Sequence, residues 1–407
     1  MMKIAMLPIV FCLSAVMATA SYNFDGFQLN TTSSGSVYGG VFVSYGDKSG
    51  LVSTPYTSNY TLPAGTARWA RLYVGVWGGN EGNTDWVNTT LNSKGVGNIS
   101  LGGTGDTNPT YSEGTNVYSS GNGVWWVSYN VKDNISMGAI NTATARTRSF
   151  SVYGIVLAAA YNDTDGAGLM TQYWINEGNV NLHGDTAVTW VLDNTTVLFN
   201  GDLDSKYTNA KLNTVYLTGT SGEPDYLYFN AVEDYHRLHQ LGDNGDETIG
   251  SDDIAGARNG NYFDFVSFDV MHLVSPNNNF ASYWRGHDND GVGGISSGLE
   301  GEGYVHPVLS VLTVNTTRQH ITKNLVGGGA TNIFSLPLSD SENISSALSS
   351  IEVEYTYVTR YNSTTGAWQT YNKIKPNPPY SPFNKLDPGV GYSVIPNNAC
   401  ILEWNSK

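Results

Sequence analysis

Val124-Trp-Trp-Val-Ser-Tyr-Asn-Val131 and Tyr262-Phe-Asp-Phe-Val-Ser-Phe-Asp-Val270 are the two stretches on which the fold turns. Both are short, rich in aromatic and β-branched residues, and bounded by Gly, Asn and Asp, which is the signature of strands between turns. They also match one another. Val127-Ser-Tyr-Asn-Val131 with Ile135-Ser136 parallels Val266-Ser-Phe-Asp-Val270 with Val274-Ser275. Upstream, Leu72-Tyr-Val74 parallels Val215-Tyr-Leu217, and downstream the run from Ile155 to Thr164 parallels that from Val308 to Thr317. The order of the three blocks is kept, and a spacing this long excludes a solenoid repeat. The spacing predicts an all-β chain of two tandem β-sandwich, jelly-roll-like domains, 21–170 and 171–317, followed by a small β-rich C-terminal module at 331–407. Short helices are expected only near Ala231–Gln240 and Ser341–Ser350, and a strand over Val353–Tyr361.

Composition agrees with sheets. Charged residues are 14% of the chain, aromatics 12%, and there are 46 glycines; typical soluble chains carry about 25% charged residues. The formal net charge of −15 disfavours nucleic acid as a partner, since binding it needs a basic footprint. Lys3, the apolar run Ile4–Met17 and the small residues Ala18-Thr19-Ala20 read as a signal peptide over 1–20. Tyr153–Tyr161 is the next longest apolar run, well short of the ~20 residues that a spanning helix needs. A secreted, extracellular chain with no membrane span after cleavage is therefore expected.

Removing the leader takes Cys12 with it and leaves Cys400 alone in a disulfide-permissive setting. An odd thiol there points to intermolecular pairing, against the plainer reading of an inert buried thiol. Ten Asn-x-Ser/Thr acceptors, at Asn30, Asn59, Asn88, Asn98, Asn134, Asn162, Asn194, Asn315, Asn343 and Asn362, become candidate glycosylation sites in an exported chain. Trp125 and Trp126 must point to opposite faces of their strand. If one face alone is buried, the other indole is free to stack on a sugar or a neighbouring subunit; otherwise a second buried layer takes it.

Catalytic and metal motifs are sparse. Gly294-Ile-Ser-Ser-Gly298 has the nucleophile-elbow spacing but loop-like flanks in place of a strand and a helix. The loop from Asp288 to Glu300 half-matches a calcium loop: Asp288 and Asp290 fall at ligand positions, Val292 stands where an oxygen is wanted, and Glu300 is one residue late. Ca2+ at Asp288 and Asp290 is accordingly the one cofactor worth expecting. Asp243, Asp246, Asp252 and Asp253 form another acidic loop. Asp234, His236 and His239 cluster without an identifiable further ligand.

Arg71-Leu-Tyr-Val-Gly-Val-Trp77, Gly123–Val131, Asn259-Gly-Asn-Tyr-Phe-Asp-Phe265, Trp284-Arg-Gly286 and Val305-His-Pro-Val-Leu-Ser-Val311 together resemble a domain family of unknown function that recurs in surface proteins of methanogenic archaea, some of them sheath proteins of filamentous methanogens. The tail, with Ser335-Leu-Pro-Leu338 and Leu386-Asp-Pro-Gly-Val-Gly-Tyr392, is similar to a short module that often ends prokaryotic surface proteins. The resemblance implies no active site. It implies a structural subunit of an archaeal cell envelope, a sheath or surface layer, whose partners are copies of itself, other envelope proteins and glycans. The alternative is a secreted carbohydrate-binding or adhesive protein; a secreted glycan hydrolase ranks third.

Overall fold

The computed structural model describes residues 26–405 except 49, 51–54, 81, 103–114, 121–122, 165–168, 184–193, 204–206, 220–224, 232–239, 242–261, 286–303, 336–340 and 388. The first half contains β1 (Gly26–Ser44), β2 (Tyr56–Thr61), β3 (Thr66–Trp77), β4 (Thr84–Leu91), β5 (Lys94–Gly102), β6 (Thr115–Ser119), β7 (Val124–Asn130), β8 (Ile140–Thr147) and β9 (Ser151–Asn162). The second contains β10 (Leu169–Val180), β11 (Leu182–His183), β12 (Asn194–Asp202), β13 (Tyr207–Leu217), β14 (Tyr226–Phe229), β15 (Gln240–Leu241), β16 (Phe263–Asp269), β17 (Asn277–Trp284) and β18 (Tyr304–Leu325).

Each half is a jelly roll. In the first, β1-β9-β3-β7 lies over β2-β8-β4-β5; in the second, β10-β18-β13-β16 lies over β12-β17-β14-β15. The strand orders are the same, and all pairings are antiparallel. The three matched sequence blocks fall on equivalent strands: β7 with β16, β3 with β13, and β9 with β18. An all-β fold of packed sheets is what alternating strands without helical periodicity produce.

Side-chain hydrogen bonds repeat as well. After β4, Asn92 adopts a left-handed backbone (φ 52°), and its Nδ2 donates to Asn141 Oδ1 at 2.8 Å. Asn141 in turn closes a loop with both backbone groups of Ser136, at 2.7 and 2.8 Å. After β14, Asn230 (φ 55°) donates to Asn279 Oδ1, also at 2.8 Å, and Asn279 binds both backbone groups of Ser275 at 2.7 and 3.0 Å. Asparagine suits both places because its short amide tolerates the left-handed region and satisfies buried backbone groups.

The two jelly rolls are joined through one strand. Residues Gly26–Tyr38 of β1 pair with β10, and Gly39–Ser44 pair with β9. The inner sheets are thus one sheet, in the order β16-β13-β18-β10-β1-β9-β3-β7-β6, folded over at β1 so that its halves stack. Three apolar layers result. One lies inside each sandwich, and the third, containing Tyr73, Trp126, Val156, Tyr173, Ile175, Val215 and Val311, lies between them. Trp125 and Trp126 do point to opposite faces, and both faces are interior. Trp125 stacks on Phe150 in the first sandwich (centroids 5.1 Å apart), and Trp126 stacks on Tyr73 between the sandwiches (5.3 Å). Each indole fills a packed layer, so neither is presented to a sugar or a neighbour. Gly154 permits the close approach: a Cβ there would stand 2.6 Å from the Phe263 ring of the other half.

Past Tyr304, β18 runs unbroken for 22 residues, and its end pairs with the last strand, β25 (Cys400–Asn405). Between them lie β19 (Asn332–Ser335), β20 (Glu342–Asn343), α1 (Ile344–Ala347), β21 (Tyr357–Asn362), β22 (Ala367–Asn372), β23 (Lys385–Leu386) and β24 (Gly391–Val394). The strand expected from Val353 begins at Tyr357 instead. A turn of 3-10 helix at Ser349–Ile351 buries Ile351 and leaves Val353 in an exposed turn. This module has its own core around Leu348, Val358 and Leu402.

Candidate functional site

Two features stand out chemically: a polar cluster buried between the jelly rolls, and an apolar face exposed on the C-terminal module.

The buried cluster centres on Glu177 of β10. Its Oε1 accepts hydrogen bonds from Arg71 Nη1 (2.7 Å), Asn116 Nδ2 (2.7 Å) and the Tyr118 hydroxyl (3.0 Å), which stand on β3 and β6 of the other half. Arg71 also donates to Ser128 Oγ at 2.7 Å. Burial, and next the Glu177 charge, push the Tyr73 phenol well above its ordinary range, which keeps it neutral. Two residues on, Asn179 Nδ2 donates to the carbonyls of Tyr118 and Val124, at 3.0 and 2.9 Å. That fixes its Oδ1 toward His306 Nδ1, 3.0 Å away, so Nδ1 carries the proton in the neutral ring. The hydrogen bonds from Arg71, Asn116 and Tyr118 to Glu177, and from Asn179 to the carbonyls of Tyr118 and Val124, bridge the two jelly rolls, whereas Arg71–Ser128 and Asn179–His306 each lie within one half. The cluster therefore aligns and locks the halves.

Burial, reinforced by nearby His183, holds His306 down at about 3. Folded protein keeps the ring neutral where the unfolded chain, with an ordinary pKa near 6.5, takes up a proton. Stability is thus full above about pH 6.5 and declines as pH falls toward 3. Between pH 8 and pH 5 the expected loss is about 2 kcal/mol. Urea midpoints measured across that range should show it, and His306→Gln should flatten the slope.

Asp85 is an anchor within the first sandwich. Burial raises its pKa, but backbone N–H groups of Ser149, Trp86, Phe150 and Arg148 outweigh that and hold it at about 2. It caps the turn between β8 and β9.

The exposed face belongs to the sheet β19-β24-β21-β22. Alternation sends Phe334, Val358, Tyr371, Tyr392 and Val394 inward. Strand register then places Ile333, Tyr357, Tyr361 and Trp368 together on the outward side, with Ile395 just past β24. Trp368 is 70% exposed and meets Tyr361 edge-on, with centroids 5.6 Å apart. Thr359 and Ser393, hydrogen-bonded to one another, lie between them. Among the described residues, ten of the sixteen exposed large apolar side chains lie between Val326 and Ile401, so apolar surface concentrates on this one module. Sequence reading passed over it because Tyr361 and Trp368 look no different from core aromatics until the register shows which way they point.

Cys400 is a free thiol at the start of β25, half-buried against the module's core. Burial, then Glu354, raise its pKa, which favours the less nucleophilic protonated form. Of the glycosylation acceptors, Asn30, Asn59, Asn98 and Asn343 are exposed, whereas Asn88, Asn134, Asn162, Asn194, Asn315 and Asn362 are half-buried. Asp288, Asp290 and Glu300, the other acidic loop, the Asp234/His236/His239 group, the Gly294–Gly298 motif and the leader lie outside the described residues. Within the described residues no three His, Cys, Asp or Glu side chains gather as a metal site, and no helix is long and apolar enough to cross a membrane.

No curated protein matches the chain. Among solved structures, the major capsid protein P2 from bacteriophage PM2 overlaps 68% of this chain and 98% of its own, at 7% identity and a TM-score of 0.18. The Streptomyces avermitilis α-L-rhamnosidase complexed with L-rhamnose overlaps 94% of this chain and 46% of its own, at 10% identity and a TM-score of 0.17. Overlaps this slight carry no argument about fold or function. The sequence match is firmer: the profile described as "Protein of unknown function (DUF3344)" matches residues 21–315, from before β1 well into β18, and the chain belongs to that family.

Proposed function

We propose that the chain is a structural, non-enzymatic subunit of an extracellular sheath or surface layer, of the archaeal kind that the sequence resemblance implies, and that it assembles with copies of itself. The outward apolar face of β19-β24-β21-β22 is the observation that carries this reading. Exposed Trp, Tyr and Ile side chains gathered on one sheet face are costly in water and mark a surface built to be covered. Aromatic side chains are also the residues that dominate protein contacts. Two further features support a load-bearing role. The interiors of both jelly rolls are filled by large side chains such as Trp125, Tyr129, Phe199 and Phe229, and the inner sheets are continuous from one half to the other. A disulfide between Cys400 thiols of neighbouring copies is a secondary part of the proposal, since it requires β25 to loosen.

Purified protein examined by sedimentation velocity and negative-stain microscopy tests the reading. Concentration-dependent polymers in the form of sheets, hoops or filaments are expected, with reductant changing their length but not their existence. A protein that stays monomeric, and is retained on immobilised glycans through Trp368 and Tyr361, would instead establish the carbohydrate-binding alternative, which those exposed rings also favour.

A further inference from the structure

The solvent side of the first outer sheet, β2-β8-β4-β5, brings three of the acceptor sequences onto one face. In a strand, residues two apart share a face. Asn59 and Thr61, Asn88 and Thr90, and Asn98 and Ser100 therefore each present both the amide and the hydroxyl of their motif outward. The residues between them, Tyr60, Thr89 and Ile99, turn inward, with Tyr60 and Thr89 fully buried. Register sets Asn88 directly opposite Asn98. Elsewhere on this face Thr57 hydrogen-bonds Thr144 and Thr142 hydrogen-bonds Asn59, and Trp86, Ile140 and Arg146 are also exposed, Arg146 standing opposite Asn88.

The three amides differ in availability. Asn59 is tied on all sides: Nδ2 donates to Asp47 Oδ2 at 2.7 Å, and Oδ1 accepts from Thr142 at 2.7 Å. Asn88 is half-buried. Asn98 is exposed, stands on the edge strand β5 of the four-stranded path, and makes no side-chain hydrogen bond among the described residues. Elsewhere, Asn162 and Asn315 occupy equivalent places at the ends of the paired blocks. Their Oδ1 atoms are bound by the Tyr38 N–H (3.0 Å) and the Thr171 hydroxyl (3.2 Å) inside the folded inner sheet.

We propose that Asn98 carries an N-linked glycan and that the outward side of β2-β8-β4-β5 is the sugar-covered face of the subunit. The inference rests on the export part of the reading above. The donor it requires is an oligosaccharide linked through phosphate to a lipid. The Asn98 amide nitrogen attacks the anomeric carbon, a nitrogen–carbon bond forms, and the carbon–oxygen bond to the lipid phosphate breaks. The lipid phosphate leaves with the electron pair, and the amide gives up one proton. A glycan at Asn98 crowds Asn88, whose Cβ is about 5 Å away across the strand pair, so a single chain does not carry both. It also removes this face from subunit contacts and leaves the C-terminal sheet to make them.

The full chain, with its own leader, is to be expressed in an N-glycosylating secretory host. Protein from the medium and from the cells is then digested and its glycopeptides mapped by mass spectrometry, with Asn98→Gln alongside. Expected in the medium is sugar on the Asn98 peptide, none on the Asn162 or Asn315 peptides, and loss of that glycoform in Asn98→Gln. Exported protein with a bare Asn98, or with sugar at Asn162 or Asn315, overturns the assignment while leaving export intact. Protein held in the cells without sugar counts against both.

Discussion

Arg71→Met should destabilise the protein by about 3–5 kcal/mol, the usual cost of leaving one member of a buried ion pair alone. The Glu177 side chain is fully buried, and Arg71, at 2.7 Å, is its one cationic contact among the described residues. Asn116, Tyr118 and Ser128 can still solvate Oε1, but they carry no compensating charge. Met fills much of the volume that the arginine stem occupied, so the loss measures charge rather than a cavity. Adding Glu177→Gln to the same chain removes the orphaned charge and should restore more than half of the stability. The measurement is a urea titration at pH 7 in which the midpoint falls while the slope is unchanged. A single variant within about 1 kcal/mol of the parent would show that the cluster is not what locks the jelly rolls together.

The second large effect concerns assembly. Replacing Tyr361 and Trp368 by Ser should abolish polymers at concentrations where the parent forms them. Aromatic anchors at contact centres are each worth about 2 kcal/mol or more, or roughly 30-fold in affinity. Because the two rings touch, their effects do not simply add, and the combined loss is expected between about 30-fold and 1000-fold per contact. Both side chains are exposed, so thermal unfolding of the variant should barely move. Sedimentation compared with the parent decides it: polymers undiminished by the double substitution would remove this face from the assembly.

Much of the architecture was legible from local pattern. Val124–Val131 and Tyr262–Val270 declared strands, and their likeness, with two flanking blocks in the same order, declared a duplication that equivalent strands now carry. Asn92 and Asn141 against Asn230 and Asn279 were a further sign of it in the sequence, passed over because single asparagines in an Asn-rich chain do not look paired. The folding-over of the inner sheet was not readable. Nothing near Gly39 says that β1 changes partners there, since that depends on β9 and β10, which lie more than 100 residues away. The same holds for Glu177, whose contacts with Arg71 and Asn116 cross 106 and 61 positions. Trp125 and Trp126 were correctly placed on opposite faces, but only the stacking of the second jelly roll decides that both are interior.

The divided pairing of β1 also governs the order of events as the chain folds. Gly26 meets Val180 and Gly39 meets Asn162, so β1, which precedes both partners in the chain, must wait for the first half to be completed, and for the start of the second, before its ladders can close. Loop-closure entropy has to be overcome before any of those hydrogen bonds form, which places the chain among slow, high-contact-order folders. Throughout that interval the edges of β9 and β10 that β1 will occupy stand open to the wrong strand, and crowding of nascent copies turns such a delay into aggregation.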